Sequence, residues 1–201
     1  MSPEANYRML LDGRVEDRAV AGLARYAELL ERWSEKHNLV RFTSRRELVE
    51  RHLLDSIEGA RLLSGRGRLL DVGSGAGLPG VPLLIVRPRW SGVLLEPRQK
   101  RWAFLKLVVR ELELHAVAID RRYQDLEDQG SFDLVTTRAV GGHAAMLEWA
   151  RPRLSEEGSV ALWTTIEGEQ EIGKERDWRV LSWPLIGLDR GRLVSLRKCS
   201  T

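Results

Sequence analysis

Sulfur is scarce in this 201-residue chain, and the single cysteine, Cys199, cannot form an internal disulfide. With no cysteine cluster there is no thiolate zinc site either, and no metal is expected. Long apolar runs are also missing. The stretch from Val81 to Val86, which contains Pro82, is typical; a membrane helix needs roughly 18 apolar residues in a row. The first ten residues, MSPEANYRML, lack the basic-then-apolar order of a secretory leader, so a cytoplasmic location is expected. Lysine is rare as well, at 5 residues against 27 arginines, although the net charge is only +3. Arginine's planar fork suits phosphates and base edges, but a GC-rich genome would favour the same residue, so composition alone does not name a partner. What remains is the profile of a globular protein, 43% hydrophobic and 30% charged, long enough to bury a core without staples.

The texture of the chain changes near residue 64. Before it, apolar residues recur at helical spacing, first as Val20, Leu23, Ala27 and Leu30, then as Val49, Leu53, Ile57 and Ala60. Asp17 is the expected cap of the first helix, and Thr43 or Ser44 of the second. Ser64-Gly65-Arg66-Gly67 then reads as a turn. After it, short apolar runs at 68–72, 92–96, 115–120, 132–137 and 159–163 alternate with helical segments, which predicts a parallel sheet covered on both faces. Segments around Trp178–Trp183 and Arg192–Arg197 follow each other like an antiparallel closing hairpin. The expectation is a helical cap over 1–64 on a doubly wound α/β domain over 65–201.

The most informative segment is LLDVGSGAGLPGVPLLIV, 69–86. A buried strand ends at Asp71-Val72, and Gly73, Gly75 and Gly77 alternate with single-residue spacers before a helix. Such glycines let the chain turn sharply and a ligand come close, at the strand ends where open α/β sheets bind ligands. Glu96, at the end of the next strand, stands where a carboxylate can grip both ribose hydroxyls of a nucleoside. Asp71 directs a negative charge at the same mouth, which suits the ammonium and sulfonium of S-adenosylmethionine better than a pyrophosphate. Gly75-x-Gly77-x-x-Gly80 also fits the dinucleotide fingerprint, so a nicotinamide-dependent oxidoreductase stays open.

Five segments together carry a family resemblance: RW-x-x-x-x-NL (Arg32–Leu39), RHLLDSI (Arg51–Ile57), DVGSGAGLPGVPLLIVRP (Asp71–Pro88), KRWAFL (Lys100–Leu105) and FD-x-x-x-x-RAV (Phe132–Val140). From about residue 26 onward the chain resembles the glucose-inhibited division protein B (GidB) family, bacterial methyltransferases of small-subunit ribosomal RNA. The resemblance implies a Rossmann-like methyltransferase fold, with a mostly parallel seven-stranded sheet whose last strand is antiparallel. It implies methyl transfer from S-adenosylmethionine to guanine N7 of 16S ribosomal RNA; a monomer is the expected state. By the same match, Arg138 and Arg122 belong to the catalytic region. The cofactor set is Asp71, Gly73, Ser74, Gly75, Gly77, Leu78, Glu96, Tyr123, Gln124 and Arg138.

The chain departs from the family at Ala76, where proline is usual, and at Val40, where threonine is usual. It also lacks the family's lysine after the fifth strand, reading Leu162-Trp163-Thr164-Thr165. A cofactor-binding paralogue with altered or lost RNA methylation therefore also stays open.

Three further groups invite a bland reading. Arg51 and Asp55 sit four apart, as an exposed ion pair would. Trp102, Leu105, Val109 and Leu112 form a core stripe on the helix over 98–112, which turns its charges to solvent. Arg41, Arg45, Arg46, Arg190, Arg192, Arg197 and Lys198, with the charges of that helix, are candidates for RNA phosphates.

Overall fold

Each apolar run of the second half becomes a strand because its side chains alternate between two buried faces. In β1 (Gly67–Val72), Leu69 joins one hydrophobic cluster while Leu70 and Val72 join the other. The strands β2 (Trp90–Leu95), β3 (Ala116–Ile119), β4 (Phe132–Arg138), β5 (Leu154–Thr165), β6 (Trp178–Pro184) and β7 (Gly191–Lys198) complete one sheet in the order β3-β2-β1-β4-β5-β7-β6. Only β7 runs against its neighbours, pairing antiparallel with both β5 and β6. The computed structural model describes residues 2–127, 130–138, 143–186 and 188–199. Ala139 and Val140 of the RAV motif lie outside these. No helix among the described residues is long and apolar enough to cross a membrane.

The helices α1 (Pro3–Leu11), α2 (Asp17–His37), α3 (Arg45–Leu48), α4 (Asp55–Ile57), α5 (Gly80–Val86) and α6 (Gln99–Glu111) supply residues to the first cluster. Tyr7, Leu23, Leu30 and Leu53 of the N-terminal segments meet Leu69, Leu94, Leu134 and Leu193 of the sheet there. α7 (His143–Ala150) and α8 (Ile166–Ile172) cover the opposite face, through Met146, Leu147, Ala150 and Ile172.

Several local expectations need correction. Glu16, not Asp17, occupies the cap position of α2 and makes no side-chain cap bond, so Asp17 is the first helical residue and only adds charge to the first turn. Ser44 does cap α3, accepting from the Glu47 N–H at 3.1 Å. The second helix is not regular. It passes from α3 into a π turn at Val49–Leu54, then α4, then a 3-10 turn at Glu58–Leu62. That change of pitch undoes the expected Arg51–Asp55 pair. Arg51 instead reaches Glu47 at 3.4 Å, and Asp55 is buried. On α6 the buried stripe is Phe104, Leu105 and Val108, while Trp102 lies half-buried and donates its indole N–H to the Ala118 carbonyl.

Candidate functional site

The chain's connections reverse direction between β1 and β4, and at such a switch point the loops after neighbouring strands part to leave a crevice. The loop after β1 carries Gly73, Gly75 and Gly77 at φ of +69°, +58° and +93°, conformations that favour glycine. Its folding is fixed from within. The Ser74 N–H donates to the Leu95 carbonyl at 2.8 Å and its hydroxyl to the Asp71 carbonyl at 2.9 Å. The N–H groups of Gly77 and Leu78 both donate to the Ser74 carbonyl, at 2.7 and 3.2 Å.

Glu96 closes the cradle on the β2 side. One carboxylate oxygen accepts from the Gly75 N–H at 3.0 Å and the other from the Arg98 N–H at 2.9 Å. Each oxygen has a further lone-pair direction for a ligand hydroxyl. The Arg101 guanidinium from α6 stands over the same loop, 3.5 Å from the point a Cβ on Gly75 would occupy.

Asp71 lies beneath the loop rather than in its open mouth. It is fully buried; one oxygen accepts from the Thr136 hydroxyl at 2.8 Å and the other from the Gly80 N–H at 3.2 Å. Burial pushes its carboxyl up to about 6, against the pull of those hydrogen bonds. A native pKa above the unfolded value means the folded state binds more protons in between. The contribution to stability is present below the unfolded pKa and is lost as pH rises through about 6. Denaturation of wild type and Asp71→Asn checks this. The stability of wild type relative to the variant is expected to fall between about pH 4 and pH 6. A difference that does not change with pH would refute the assignment.

Tyr26 of α2 is a site residue that the sequence reading missed. Its hydroxyl donates to the Ala76 carbonyl at 2.6 Å, tying the N-terminal helices to the cradle. Burial, and then Asp71, hold its pKa well above the usual phenol range, so it remains a donor. The sequence signal was faint, because Tyr26 falls on the apolar stripe of α2 and reads as packing.

Arg138 ends β4 on the other side of the switch point. Its guanidinium turns back toward the π turn, donating from Nη2 to the Arg51 carbonyl at 3.2 Å. Nη1 is buried and has no hydrogen-bond partner among the described residues. Burial lowers the Arg138 pKa, while Asp55 and Tyr26 oppose that shift. His52 feels the pair from the other side; burial first, then the Arg138 charge, pulls its pKa down. The indole N–H of Trp163 in β5 donates to the Asp55 carbonyl at 2.7 Å and braces the same segment.

The residues after β3 are less tightly bound in. Arg122 and Gln124 are exposed, and the Tyr123 ring meets the Trp149 ring edge-on at 5.0 Å. The structure thus ties Asp71, Ser74, Gly75, Gly77, Leu78 and Glu96 together through one hydrogen-bonded loop, with Gly73 within that loop and Arg138 beside it. Arg122, Tyr123 and Gln124 stand at the same sheet edge without a hydrogen bond to that unit.

The residues fit a nucleoside cofactor. A side chain at Gly75 would intrude between Arg101 and Glu96, so the cradle is kept open by the lack of one. Beside the cradle, Nη1 of Arg138, unpartnered among the described residues, offers a buried donor to an acceptor on a substrate rather than on the cofactor. Several arginines expected to serve RNA are instead spent on carboxylates: Arg45 on Glu31, Arg46 on Glu50, Arg190 on Glu167, Arg192 on Glu169 and Arg197 on Glu157.

Residues 19–182 match the family model described as rRNA small subunit methyltransferase G. A protein of Syntrophotalea carbinolica named ribosomal RNA small subunit methyltransferase G is 35% identical over 188 residues, covering 86% of this chain and 87% of the relative. A protein of the same name from Acinetobacter baumannii is 32% identical, with 90% of each chain covered. Among solved structures, a SAM-dependent O-methyltransferase from Thermotoga maritima superposes with a TM-score of 0.63 at 15% identity, over 88% of this chain and 72% of that one. This last likeness is one of fold.

Proposed function

The chain belongs to the GidB family of small-subunit rRNA methyltransferases, and on that premise we propose that it methylates guanine N7 in 16S ribosomal RNA. Family and fold both speak for S-adenosylmethionine over a nicotinamide cofactor. The observation that carries the reading is the glycine cradle bonded to Glu96, with the half-buried Arg138 across the switch point.

Bound there, S-adenosylmethionine supplies an electrophilic methyl group on a sulfonium. Glu96 would hold the ribose hydroxyls, the loop from Gly73 to Leu78 would line the cofactor site, and Tyr123 and Gln124 would border it. Guanine N7 keeps a free lone pair at neutral pH, so the protein has no proton to remove. Its work is alignment, and well-aligned intramolecular reactions reach effective molarities of roughly 10⁵–10⁸ M. Arg138 would grip guanine O6 or a flanking phosphate, since the usual bidentate grip on O6 and N7 would cover the nucleophile. Arg122 would meet the RNA from the β3 side. The helical segment over 1–64 would then serve as a cap bracing the cradle through Tyr26, and 65–201 as the cofactor-binding domain.

A paralogue with altered activity has one observation in its favour. The residues in place of the family's lysine build the start of α8, where the Thr165 hydroxyl accepts from the Gly168 N–H at 3.4 Å. The deciding experiment is methyl transfer from labelled S-adenosylmethionine to small subunits that lack the modification, with the product nucleoside identified. Wild type is expected to give 7-methylguanosine, and no incorporation would sink the proposal. In the same assay Glu96→Gln should raise the cofactor KM at least tenfold. It loses charge-assisted bonds that contribute about 1.5–3 kcal/mol each. An unchanged KM would remove Glu96 from the ribose.

A further inference from the structure

Two motifs remain without a role, RW-x-x-x-x-NL and KRWAFL. They meet in the fold. The first runs through the end of α2 and the second begins α6; Trp33 meets Phe104 at 5.4 Å, and past that contact a cavity of about 430 Å³ lies between α2 and the later turns of α6. It is lined by Leu29, Arg32, Trp33 and Lys36 of α2 and by Leu107 and Glu111 of α6. That volume falls within the roughly 300–1,000 Å³ of small-ligand sites.

The charges around this groove differ from those on the rest of the N-terminal helices. Most arginines there are neutralised; Arg25, at one end, is held by Glu28 at 2.6 Å and by Glu111 at 3.2 Å. Arg32 and Lys36 are exposed and have neither an ion pair nor a side-chain hydrogen bond among the described residues. Trp33 lies between them, its ring 5.1 Å from His37 and 5.4 Å from Phe104. Uncommitted cations around a half-exposed aromatic edge are what a single nucleic acid strand uses, phosphates on the charges and a base on the rings.

The groove also leads to the cradle. Arg25 meets Glu111 and Trp33 meets Phe104, so α2 and α6 run antiparallel. The Lys36 end therefore faces the first turn of α6, where Lys100 and Arg101 stand without ion pairs among the described residues, Arg101 against Gly75. We propose that the α2–α6 groove binds single-stranded ribosomal RNA flanking the target nucleotide, with Arg32 and Lys36 on its phosphates and Trp33 and His37 beside a base. The inference rests on the proposed function for the identity of the strand.

Counterion release gives a test that a merely structural role would not satisfy. Each phosphate contact to a single strand steepens the dependence of log affinity on log salt by about 0.7. Binding of a fluorescent single-stranded fragment of small-subunit RNA is measured by anisotropy across a salt series. The double variant Arg32→Ala/Lys36→Ala should flatten the slope by about 1.4. It should weaken binding roughly tenfold at low salt and raise the RNA KM, with kcat and cofactor affinity unchanged. Arg46→Ala, which loses only the charge already paired with Glu50, should leave the slope alone. An unchanged slope in the double variant, or no RNA binding by wild type, would overturn the proposal. Salt-sensitive binding that depends on Arg32 and Lys36, without methyl transfer by wild type, would uphold the groove and discard the proposed reaction.

Discussion

Arg138→Ala is expected to lower methyl transfer at least a hundredfold while S-adenosylmethionine affinity stays within a few-fold of wild type. A factor of a hundred corresponds to about 2.7 kcal/mol of transition-state stabilisation. That is the scale of a charge-assisted hydrogen bond realised on the way to the transition state. The guanidinium holds one donor on the Arg51 carbonyl and keeps another, Nη1, buried and without a partner among the described residues. A buried donor left in that state costs about 1–3 kcal/mol, which an acceptor on the substrate would offset. Arg138→Lys should rescue little, because an ammonium cannot serve the Arg51 carbonyl and a substrate oxygen in the same planar geometry. The alanine variant has a second signature. Removing the Arg138 charge should let the His52 pKa rise toward its ordinary value, a change that NMR titration of the imidazole reads directly. Loss of cofactor binding with normal turnover at saturation would move Arg138 from the substrate to the cofactor.

Gly75→Val should abolish cofactor binding, with at least a hundredfold loss of affinity, in a protein that still folds. The local geometry separates the two effects. At Gly75 a Cβ would meet nothing closer than the Arg101 guanidinium at 3.5 Å and the Gly73 carbonyl at 3.7 Å. At Gly77 a Cβ would lie only 2.7 Å from the Val81 side chain, and substitution there would damage the fold itself. Valine at φ +58° costs about 1–2 kcal/mol in backbone strain, which a domain of this size survives. Its γ-methyl groups then crowd the space between Glu96 and Arg101. Calorimetric titration with S-adenosylmethionine, alongside a melting curve, checks both halves. Retained affinity in the folded variant would reduce the glycine loop to a turn.

The sheet and the cradle were legible because they are written in short-range patterns. Each run such as 68–72 or 92–96 is apolar on two faces and bounded by turn residues, and the strand-end positions of Glu96 and Arg138 follow from counting. Where the pattern turns polar it fails. The first residues of β5, including Ser155, Glu156 and Glu157, belong to the strand but carry no apolar signal. Periodicity of 3.6 cannot foresee a π turn, so the segment at 49–54 read as a regular helix and Asp55 was placed on the outside. On α6 the expected stripe held at Leu105, with Val109 and Leu112 partly buried against the core, but failed at Trp102, which is large and apolar yet stands half-exposed beneath the Lys106 ammonium, 4.6 Å from its ring. Tyr26 and Thr136 act through partners 50 and 65 residues away, and no local pattern encodes those meetings.

The pairing of β1 with β4 sets a condition on when this site can exist. Asp71 is held by Thr136, and Leu69 lies beside Leu134, contacts that enclose some sixty-five residues of chain. Contacts of that span form late, since the entropy of closing the loop must be met before they contribute. The glycine segment and Glu96 are made well before the strand that completes their crevice. A nascent chain that has not yet docked β4 would have the glycine loop and Glu96 but not the switch point. With the proposed site residues, the cofactor would find its full site only in the assembled sheet. Its binding pulls the folding equilibrium as a whole, by about 2.7 kcal/mol at a hundred times its dissociation constant.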